Sequence, residues 1–568
     1  MGIANALTRL RLRLTAWSAS RRIARAVRDP MQVQRALLAR ILADNRDTRF
    51  GRAHHFTEID SYASYASRVP VGDFESLRSY VEAEIATGEA ALTAEAPLCY
   101  MRTSGTTGQP KDLPLVPSHL AALRHIHRTA VAYQHRMCPE AFAGGILTFT
   151  SPAAEGVLGN GKPYGSASGI VSRNTSSWVR RNFIVPPVVL GIGDTRLKHL
   201  LILRLALARD DVSYIGAANP STLLALVRLY REHADALIDD IRKGGFFLSN
   251  ELDTSVLAAV EARFGANEGR AAQLSSLNAD AGGASQVRIA DLWPQLRLVV
   301  SWTCASAGVA AKALRRELAP QARILELGYV SSEFRGTITL GRSAGSGLPT
   351  LDTHFFEFCE RDKWEAGTPE YLTLDQIRKG SDYYVVVTTP SGLYRYFIND
   401  LVRVTGFLHR TPLLKFLQKG KGVTSITGEK LYESQLLQAV ADVLETFGLS
   451  SHFVMMLADE NAARYRLHVE AEWGGTLPHP DLLAERVDAG LSRLNLEYQA
   501  KRESGRLGGV AAHWLKPGTG DAYKKHCVAG GQREGQFKMV SVAYVREFGF
   551  DLTPHIETPH TQRDKACN

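Results

Sequence analysis

The chain has 568 residues, more than a single domain usually contains, so two or more domains with a substantial buried core are expected. Hydrophobic residues make up 45% of the chain and charged residues 22%, which are ordinary fractions for a globular protein. This composition excludes a disordered or a fibrous protein. Of the formal net charge of +9, the seven arginines of residues 1–28 supply +7, with no acidic residue there, and the remainder carries only +2. Such a nearly neutral body argues against a nucleic-acid-binding protein.

The arginine-rich start also contains Leu10, Leu12, Leu14 and Trp17. A basic amphipathic segment of this kind is able to make weak contact with an anionic membrane surface, or to resemble an organelle-targeting peptide. The alternative, which we favour, is a solvated helix flank, because that is the usual role of a charge run.

The six cysteines are scattered, without a Cys-x-x-Cys pair or a metal-ligand spacing to histidine, so free thiols in a reducing cytoplasm are expected. The sequence offers no stretch of about twenty apolar residues and no signal-peptide core. We therefore expect a soluble cytoplasmic protein without a transmembrane segment, working as a monomer.

The amino-terminal part of the chain predicts a helical layer. Apolar residues recur at helical spacing over residues 31–45, and residues 74–91 form a second helical pattern that ends near Gly88. After Cys99 short apolar runs alternate with helical stretches, which is typical of a layered α/β core. The strand predictions are 145–150, 212–215, 296–302, 323–327 and 383–388. Residues 155–169 and 279–285 are predicted surface loops.

A domain boundary is predicted where residues 415–422 place two glycines and two lysines after a strand-like run. Beyond it come a helix at 433–447, strands at 452–457 and 465–470, and a long helix at 480–500. The prediction is an α/β protein with a large layered domain of sheets and helices (residues 1–418), a hinge (419–422) and a smaller, mobile α+β domain (423–568).

Residues 103–111 read Thr-Ser-Gly-Thr-Thr-Gly-Gln-Pro-Lys. Such a loop is able to direct backbone N–H groups and hydroxyls at phosphate oxygens, with Gly105 and Gly108 allowing close approach and Lys111 supplying a positive charge. In a Walker A loop, a lysine directly follows the second glycine, and a serine or threonine follows that lysine. This segment has neither feature, so it is not a Walker A loop. The segment predicts a phosphate-binding loop for ATP.

Two further segments follow apolar runs. Residues 328–333 (Gly-Tyr-Val-Ser-Ser-Glu) place Glu333 at a predicted strand end, where a carboxylate beside a triphosphate suits Mg²⁺. Residues 394–400 (Tyr-Arg-Tyr-Phe-Ile-Asn-Asp) end in Asp400, an acid able to accept hydrogen bonds from both ribose hydroxyls. Taken alone, the first segment is equally consistent with a surface turn, and a lone aspartate at a strand start is mostly structural, so the order of the set gives Asp400 its weight.

Four histidines, at 119, 125, 127 and 135, fall in one predicted helix. His125 and His127 face apart on a helix and neither has an acid four residues later, which disfavours a metal site. Arg124 and Arg128 on the same helix are candidates to meet a substrate carboxylate, or are solvated.

The three segments, in this order and followed by the glycine–lysine boundary, resemble the adenylate-forming superfamily. The chain is most similar to the acyl acid amido synthetases, whose plant members join jasmonate, auxin or benzoates to amino acids. The likeness extends to residues 34–56, Val-Pro-Val-Gly-Asp-Phe at 69–74, residues 416–422, Ile-Thr-Gly-Glu-Lys-Leu at 426–431 and Gly-Gln-Phe-Lys at 535–538. It spans about residues 32–545.

The resemblance implies a role for each residue that matches a family motif. The implied contacts are phosphates at Ser104, Gly105, Thr106, Thr107, Gly108 and Lys111; adenine at Ala305 and Ser306; further ATP contacts at Tyr329 and Ser332; Mg²⁺ at Glu333; ribose at Asp400; a basic hinge residue at Lys419; and the adenylation lysine at Lys538. Lys111 and Lys538 are the implied catalytic residues.

Two positions depart from the family pattern. Asn399 precedes Asp400 where glycine is commoner, and Lys538 is followed by Met-Val where Thr-Pro is usual. The second departure leaves Lys524 and Lys525, in a predicted loop opened by residues 517–520, as rivals for the catalytic lysine. We prefer Lys538 on motif context.

The resemblance implies ATP-dependent activation of a carboxylic acid as its acyl-adenylate, followed by transfer of the acyl group to an amine, most simply an amino acid. The implied cofactors are ATP and Mg²⁺. Two alternatives stay open at this point. One is an acyl-CoA ligase or carrier-protein-loading enzyme that shares the first half-reaction, and the other is a non-catalytic binding protein of the same fold.

Overall fold

The computed structural model describes residues 3–103, 111–173, 182–304, 307–341, 345–420, 422–427, 429–472, 477–530 and 539–557. The chain divides into two compact units. The first unit comprises residues 1–304 and 314–416, and the second comprises residues 305–313 and 417–568.

The elements up to residue 419 are, in chain order, α1 (Ile3–Ala26), α2 (Pro30–Asp44), α3 (Arg49–Ala53), α4 (Tyr62–Arg68), α5 (Phe74–Thr87), β1 (Cys99–Thr103), β2 (Lys111–Leu115), α6 (Pro117–Met137), β3 (Gly145–Phe149), β4 (Gly156–Val157), β5 (Pro163–Gly165), α7 (Ala167–Arg173), α8 (Thr195–Leu207), β6 (Val212–Ala217), α9 (Ser221–Lys243), α10 (Thr254–Val260), α11 (Glu268–Asp280), α12 (Ile289–Leu292), β7 (Leu298–Ser301), α13 (Ala307–Glu317), β8 (Arg323–Glu326), β9 (Thr337–Ile338), β10 (Leu348–Pro349), β11 (Phe355–Glu360), α14 (Arg361–Glu365), β12 (Tyr371–Leu372), β13 (Asp382–Thr388), β14 (Tyr396–Leu408) and β15 (Thr411–Lys419).

The amino-terminal helical layer forms as its sequence predicts. The side chains of Asp29, Ser61 and Asp73 each accept a hydrogen bond from a backbone N–H in the first turn of the helix they precede, which satisfies one of the unpaired donors there. Helix α5 ends at Gly88, whose φ of 73° suits a residue without a side chain. The predicted helices at 31–45 and 74–91 are confirmed to within a few residues.

A parallel sheet with the strand order β3-β6-β7-β8 lies in the first unit. Its strands coincide with the apolar runs at 145–150, 212–215, 296–302 and 323–327, and β7 is buried throughout. Runs that are apolar on both faces are typical of a parallel sheet covered by helices. The carboxyl ends of such strands are where α/β proteins place their ligands.

An antiparallel sheet of order β12-β11-β13-β14-β15 supplies much of the main core of this unit. Phe356, Phe358 and Val385 lie on its buried strands and are 0–1% exposed. A smaller sheet of order β2-β1-β5-β4 contains the β1–β2 hairpin. It also corrects a prediction, because strands β4 and β5 lie within residues 155–169, which the sequence predicts as a plain loop.

The second unit contains an α+β arrangement, as predicted. Its further elements are β16 (Val423–Thr424), β17 (Leu431–Tyr432), α15 (Glu433–Thr446), β18 (Ser451–Asp459), β19 (Arg464–Ala471), α16 (Pro480–Leu494), α17 (Leu496–Glu503), β20 (Ala511–Trp514), α18 (Thr519–Ala529) and β21 (Val542–Tyr544). Strands in the order β20-β19-β18-β21 form a mixed sheet, and the apolar faces of α15 and α16 share a core with it.

Two predictions for the second unit are wrong. The helix predicted at 480–500 is divided at Asn495. The side-chain amide of Asn495 donates to Lys430 O at 2.7 Å, and its side-chain oxygen accepts from Tyr498 N at 3.0 Å. This residue therefore ends α16 and caps α17. The segment with Lys524 and Lys525 is helix α18 and not a loop, because Gly518, at a φ of 87°, turns the chain directly into its first turn.

Helix α1 buries Leu12, whereas Leu10, Leu14 and Trp17 are 53%, 57% and 57% exposed. Arg21 lies over the Trp17 ring, with 3.8 Å between the guanidinium carbon and the ring centre. The outward face of α1 is therefore apolar and basic. Within the described ranges, no helix is both long enough and apolar enough to span a bilayer.

Candidate active site

The ends of the predicted phosphate loop meet across a β-hairpin. Strands β1 and β2 pair antiparallel, with Thr103 opposite Lys111. At the next pair, Arg102 donates to both carboxylate oxygens of Asp112 at 2.7 and 2.8 Å. A bidentate ion pair of this kind has a defined geometry, so it fixes the base from which residues 104–110 depart.

Lys111 extends from the start of β2 toward the first residue of β14. Its Nζ lies 3.5 Å from the Tyr396 hydroxyl oxygen and 5.9 Å from the centre of the Phe74 ring. Both aromatic residues are buried, whereas Lys111 is half-buried. An ammonium group is attracted to an aromatic face, so these rings hold the positive charge between α5 and the antiparallel sheet.

Burial and nearby carboxylates both affect the pKa of Tyr396. Burial raises its pKa well above 10, and the nearby charges of Glu333, Asp73 and Asp400 raise the pKa further. The phenol therefore stays protonated at neutral pH, and its oxygen accepts the hydrogen bond from Lys111 Nζ. Asp400 lies on the same strand β14 as Tyr396, the group that contacts Lys111.

The second and third motifs are joined by a hydrogen bond between Tyr329 and Asp400. The Tyr329 hydroxyl donates to Asp400 Oδ2 at 2.8 Å, and the two residues are 5% and 0% exposed. The Tyr329 ring stacks on Phe416, with ring centres 5.5 Å apart. The tyrosine therefore has a fixed position, and it orients the carboxylate predicted to bind ribose.

Glu333 lies in a short hairpin that follows β8. Val330 and Arg335 pair antiparallel, and Ser331 N donates to Phe334 O at 3.0 Å. This corrects the prediction of a strand end, since β8 ends at Glu326. The Glu333 side chain is half-exposed and makes no hydrogen bond or ion pair within the described part of the chain. Its oxygens are available to a ligand.

Glu326 contributes to the site in a way that the sequence analysis missed. Its Oε2 accepts hydrogen bonds from Thr303 N at 2.7 Å and Thr303 Oγ1 at 2.6 Å, and its Oε1 accepts one from Gly328 N at 3.0 Å. Burial raises the pKa of this carboxyl. Glu326 thereby joins the segment after β7 to the start of the second motif. Its sequence signal is one acid within the apolar run Ile-Leu-Glu-Leu at 324–327.

The third motif is anchored to the amino-terminal helical layer. Gly72 N donates to Arg395 O at 3.3 Å, and Phe397 N donates to Gly72 O at 2.7 Å. Arg395 forms a buried ion pair with Glu357 at 2.8 Å and donates through Nη1 to Val69 O at 2.9 Å. The Val-Pro-Val-Gly segment at 69–72 thus holds the motif that carries Tyr396 and Asp400.

The predicted residues Lys111, Tyr329, Glu333 and Asp400 are therefore brought together in the first unit. Ser332 lies in the same hairpin as Glu333. The predicted residues that lie outside the described part of the chain are Ser104, Gly105, Thr106, Thr107, Gly108, Ala305, Ser306 and Lys538. Their roles stay predictions.

In the second unit, Lys419 is the last residue of β15. Lys524 is half-exposed and Lys525 is exposed on α18.

His119, one of the two buried histidines of α6, has a packing role. His119 Nδ1 lies 2.7 Å from Ser391 Oγ, and its Nε2 lies 3.2 Å from His354 Nε2. Burial lowers the pKa of His119 to about 4, so the ring is neutral at physiological pH. No group of three or more His, Cys, Asp or Glu side chains suited to a metal ion occurs among the residues with described positions.

Three family models match successive parts of the chain. The GH3 family N-terminal domain matches residues 19–324, the central domain matches 347–419, and the C-terminal domain matches 434–546. The first of these alone spans more than half of the 568 residues. The chain belongs to the GH3 family.

Curated relatives of this GH3 protein include plant amido synthetases. The indole-3-acetic acid-amido synthetase GH3.15 of Arabidopsis thaliana is 24% identical, with 89% of each chain covered. The probable indole-3-acetic acid-amido synthetase GH3.12 of Oryza sativa subsp. japonica is 27% identical over 91% of each chain. The jasmonoyl--L-amino acid synthetase JAR6 of Nicotiana attenuata is 23% identical over 90% of each chain.

Solved structures agree with this GH3 assignment at the level of the fold. The GH3.15 acyl acid amido synthetase has a TM-score of 0.82 at 22% identity, covering 94% of this chain and 95% of its own. A 2-hydroxyisobutyryl-CoA ligase has a TM-score of 0.56 at 14% identity, covering 90% and 89%. The predicted resemblance to acyl acid amido synthetases and to the wider adenylate-forming fold is confirmed.

Proposed function

We propose that this GH3 protein is an ATP-dependent acid–amino acid ligase, which activates a carboxylic acid as its acyl-adenylate and transfers the acyl group to the amine of an amino acid. The observation that carries the proposal is the junction of three motifs in one unit. Lys111 contacts Tyr396 at 3.5 Å, and Tyr329 donates to Asp400 at 2.8 Å. The names of the curated relatives, which are acid–amino acid ligases, support the same activity.

The first step needs positioning and charge neutralisation more than covalent help. A carboxylate oxygen of the acid attacks the α-phosphorus of ATP, the bond to the β-phosphate oxygen breaks, and pyrophosphate leaves with the electron pair. Lys111, held against Phe74 and Tyr396, supplies a fixed positive charge for the phosphate oxygens. Residues 104–110 would add backbone N–H groups from the base fixed by Arg102 and Asp112.

The donor set also fits magnesium. Glu333 is half-exposed and makes no hydrogen bond or ion pair with a described residue, and it lies in the hairpin next to Tyr329, which contacts Asp400. Mg²⁺ in nucleotide sites takes one or two protein carboxylates together with phosphate oxygens. When bound, the ion neutralises negative charge on the phosphates. Glu333 would hold it from the hairpin that follows β8.

Asp400 and Tyr329 would bind the nucleoside. The carboxylate accepts a hydrogen bond from Tyr329 and would accept others from the ribose hydroxyls. Because Asp400 is 0% exposed in this structure, ribose binding requires a covering side chain to move. Tyr329 and Phe416 form a stacked aromatic pair at this place, which is the kind of surface on which a purine packs.

The second step requires the acyl-adenylate to meet an amine while water is kept away. We assign residues 419–422 as the hinge of a mobile second unit, and Lys538 as the adenylation lysine, because both match the family motifs in sequence. Gln418 supports a defined hinge, since its amide donates to Gly422 O at 3.1 Å and its carbonyl accepts from Ser434 N at 3.2 Å. These bonds fasten the segment to the start of α15.

We assign the protein to the cytoplasm, where the five described free cysteines would stay reduced. The outward Leu10, Leu14 and Trp17 of α1, together with its arginines, are suited to weak contact with an anionic lipid surface. Sedimentation with vesicles containing phosphatidylserine, and its loss on Trp17→Ala and Leu14→Ala, tests this contact. Equal sedimentation with neutral vesicles would argue against it.

The activity is tested in two stages. Exchange of labelled pyrophosphate into ATP, dependent on a carboxylic acid, is expected from the purified protein with a panel of acids. Amino acids and coenzyme A are then added separately, and the product is identified by mass. An amide with an amino acid supports the proposal. A thioester without any amide would assign an acyl-CoA ligase, and absence of exchange with every acid would indicate a binding protein.

A further inference from the structure

Two buried histidines meet between the motif-bearing segments of the first unit. His119 lies in the first turn of α6 and His354 lies directly before β11, and both side chains are fully buried. Their Nε2 atoms are 3.2 Å apart, and the planes of the two rings are inclined at 80°. Two ring nitrogens at this distance share one proton, so one histidine donates a hydrogen bond and the other accepts it.

On the side of His354, the contacts reach the hairpin that carries Glu333. His354 Nδ1 lies 2.8 Å from Thr350 Oγ1, and the Thr350 hydroxyl donates to Arg335 O at 2.9 Å. The His354 ring also packs edge-on against the ring of Phe334, with ring centres 5.3 Å apart. His354 therefore contacts the residue that follows Glu333 and, through Thr350, the carbonyl of the residue after that.

On the side of His119, the contacts reach strand β2 and the third motif. His119 Nδ1 lies 2.7 Å from Ser391 Oγ, and Ser391 Oγ accepts a hydrogen bond from Val116 N at 3.4 Å. Val116 directly follows β2, the strand that begins at Lys111, and Ser391 lies in the turn between β13 and β14, just before the third motif. One row of hydrogen bonds, here called the histidine chain, thus runs through Val116, Ser391, His119, His354, Thr350 and Arg335.

The histidine chain has one direction in which every donor finds an acceptor. Because the Thr350 hydroxyl donates to Arg335 O, its oxygen accepts from His354 Nδ1–H, which leaves His354 Nε2 as an acceptor. His119 Nε2–H then donates to His354, and His119 Nδ1 accepts from the Ser391 hydroxyl. In the reverse direction, the Ser391 proton would have no acceptor within the described part of the chain.

Burial keeps both rings in the neutral form that this direction requires. It lowers the pKa of His119 to about 4 and the pKa of His354 well below 6.5, so each ring carries a single N–H at neutral pH. A buried donor or acceptor that loses its partner has no water to replace it. The hairpin that carries Glu333 and the turn at Ser391 are therefore held at a fixed separation.

We propose that His119 and His354 are positioning residues for adenylation, which hold the magnesium ligand Glu333 in register with Lys111 and the third motif through the histidine chain. The inference rests on the proposed function. Adenylation depends on the relative placement of these groups, because a displacement of about 1 Å by a distant substitution is able to lower a rate by about 100-fold.

The tautomers are tested without any measurement of activity. NMR of protein labelled with ¹⁵N at histidine distinguishes a protonated ring nitrogen from an unprotonated one, and His119→Leu and His354→Leu assign the two rings. At neutral pH we expect the proton of His119 on Nε2 and the proton of His354 on Nδ1. The opposite pair of tautomers, or two rings without a defined tautomer, would overturn the inference.

Two substitutions of similar chemistry test the link in the pyrophosphate exchange assay. Glutamine at position 119 reaches the place of Nε2 with an N–H group, whereas asparagine reaches only that of Nδ1. His119→Gln should stay within about threefold of the wild-type kcat/KM for ATP at fixed Mg²⁺, and His119→Asn should lose about tenfold or more. His119→Asn should also need more Mg²⁺ for half-maximal exchange. Equal behaviour of the two variants would count against the link.

A double variant separates positioning from packing. Replacing both partners of a buried hydrogen bond by apolar groups of similar size is nearly neutral for stability, so His119→Leu with His354→Leu should keep a Tm close to that of the wild type. Its Mg²⁺ concentration for half-maximal exchange should nevertheless rise about tenfold or more. The matched control is His135→Leu, at a buried histidine near the other end of α6 that packs on Phe142, and it should keep the wild-type Mg²⁺ titration.

The outcomes are distinguishable. Wild-type exchange and Mg²⁺ dependence in the double leucine variant would show that the two histidines only fill the core, and would overturn the inference while leaving the ligase proposal intact. A wild-type protein that exchanges pyrophosphate with no acid of any kind would instead remove the proposed function itself, whatever tautomers the two rings adopt.

Discussion

Asn399 adopts a left-handed backbone conformation, with a φ of 57°, immediately before the buried Asp400. Glycine is favoured in this conformation because it has no Cβ, and asparagine is among the residues that tolerate it best. The departure from the commoner Gly-Asp pair is therefore accommodated by the backbone. The neighbouring carboxylate keeps its place beside Tyr329, 2.8 Å from the phenol oxygen.

The charge of Lys111 is expected to be essential for adenylation. Lys111→Ala should lower acid-dependent pyrophosphate exchange by at least about 100-fold, because a fixed cation beside the developing negative charge is lost. Lys111→Arg should retain part of the rate. Lys243→Ala, which changes an exposed lysine at the end of α9, is the control and should be neutral. Wild-type exchange by Lys111→Ala would contradict the assignment of this residue.

Glu333 is expected to determine the magnesium requirement. Glu333→Gln should raise the Mg²⁺ concentration for half-maximal exchange about tenfold or more, since one anionic oxygen ligand is lost while the shape of the side chain is kept. A Mg²⁺ titration of the exchange rate measures the effect, with Glu251→Gln, an exposed glutamate of the same unit, for comparison. An unchanged titration curve would exclude Glu333 as a ligand.

At the scale of elements, the start of β14 depends on a buried ion pair. Arg395 has a φ of 42° and pairs with Glu357 at 2.8 Å, with exposures of 4% and 0%. Arg395→Met would leave Glu357 charged and unpaired, for a loss of about 3 to 5 kcal/mol in the free energy of unfolding. The double variant Arg395→Met with Glu357→Gln should recover part of this loss, measured by denaturation. Additive losses would indicate that the pair is not coupled.

Glu433, at the start of α15, is expected to make stability depend on pH. Its Oε1 accepts from Ser541 N at 2.5 Å, its own N donates to Gly422 O at 2.9 Å, and burial raises its pKa from the ordinary 4.5 to about 7. Since the folded state binds this proton more tightly than the unfolded chain, the stabilisation is complete below about pH 4.5 and is lost as the pH rises through about 7.

Glu433→Gln removes that titration while retaining an oxygen that accepts from Ser541. The free energy of unfolding of this variant relative to the wild type should therefore increase between pH 5 and pH 8, by on the order of 3 kcal/mol. Its Tm relative to the wild type should rise over the same range. Differential scanning at several pH values measures it, with Glu445→Gln, an exposed residue of the same helix, as the control. A constant difference across this range would show that Glu433 does not titrate there.

At the scale of the whole molecule, the two half-reactions identify the catalytic lysine. Lys538→Ala should suppress pyrophosphate exchange by about 100-fold, because a charge on the forming anhydride is lost, and should leave amide formation from supplied acyl-adenylate largely intact. Lys524→Ala and Lys525→Ala should affect neither rate. If Lys524→Ala alone stops exchange, the assignment moves to helix α18.

Much of the molecule follows from local sequence. The apolar runs at 212–215 and 323–327 predict β6 and β8, and Gly88 marks the end of α5, because periodicity and backbone preference act over a few residues. The Ser/Thr/Gly/Lys loop at 103–111 and the order of the motifs indicate an adenylate-forming enzyme, and the GH3 family and the ligase class are confirmed. The sequence signal fails where one side chain ends a helix, as Asn495 does.

Only the tertiary structure shows which side chains meet. The contact of Lys111 with Tyr396 joins residues 285 positions apart, and the bond between Tyr329 and Asp400 spans 71. The tie from Glu326 to Thr303 likewise follows from packing and burial, and no local pattern reveals it. Secondary structure and motif identity depend on residues that are neighbours in the sequence. Charge pairing depends instead on distances that are set only when the chain has folded.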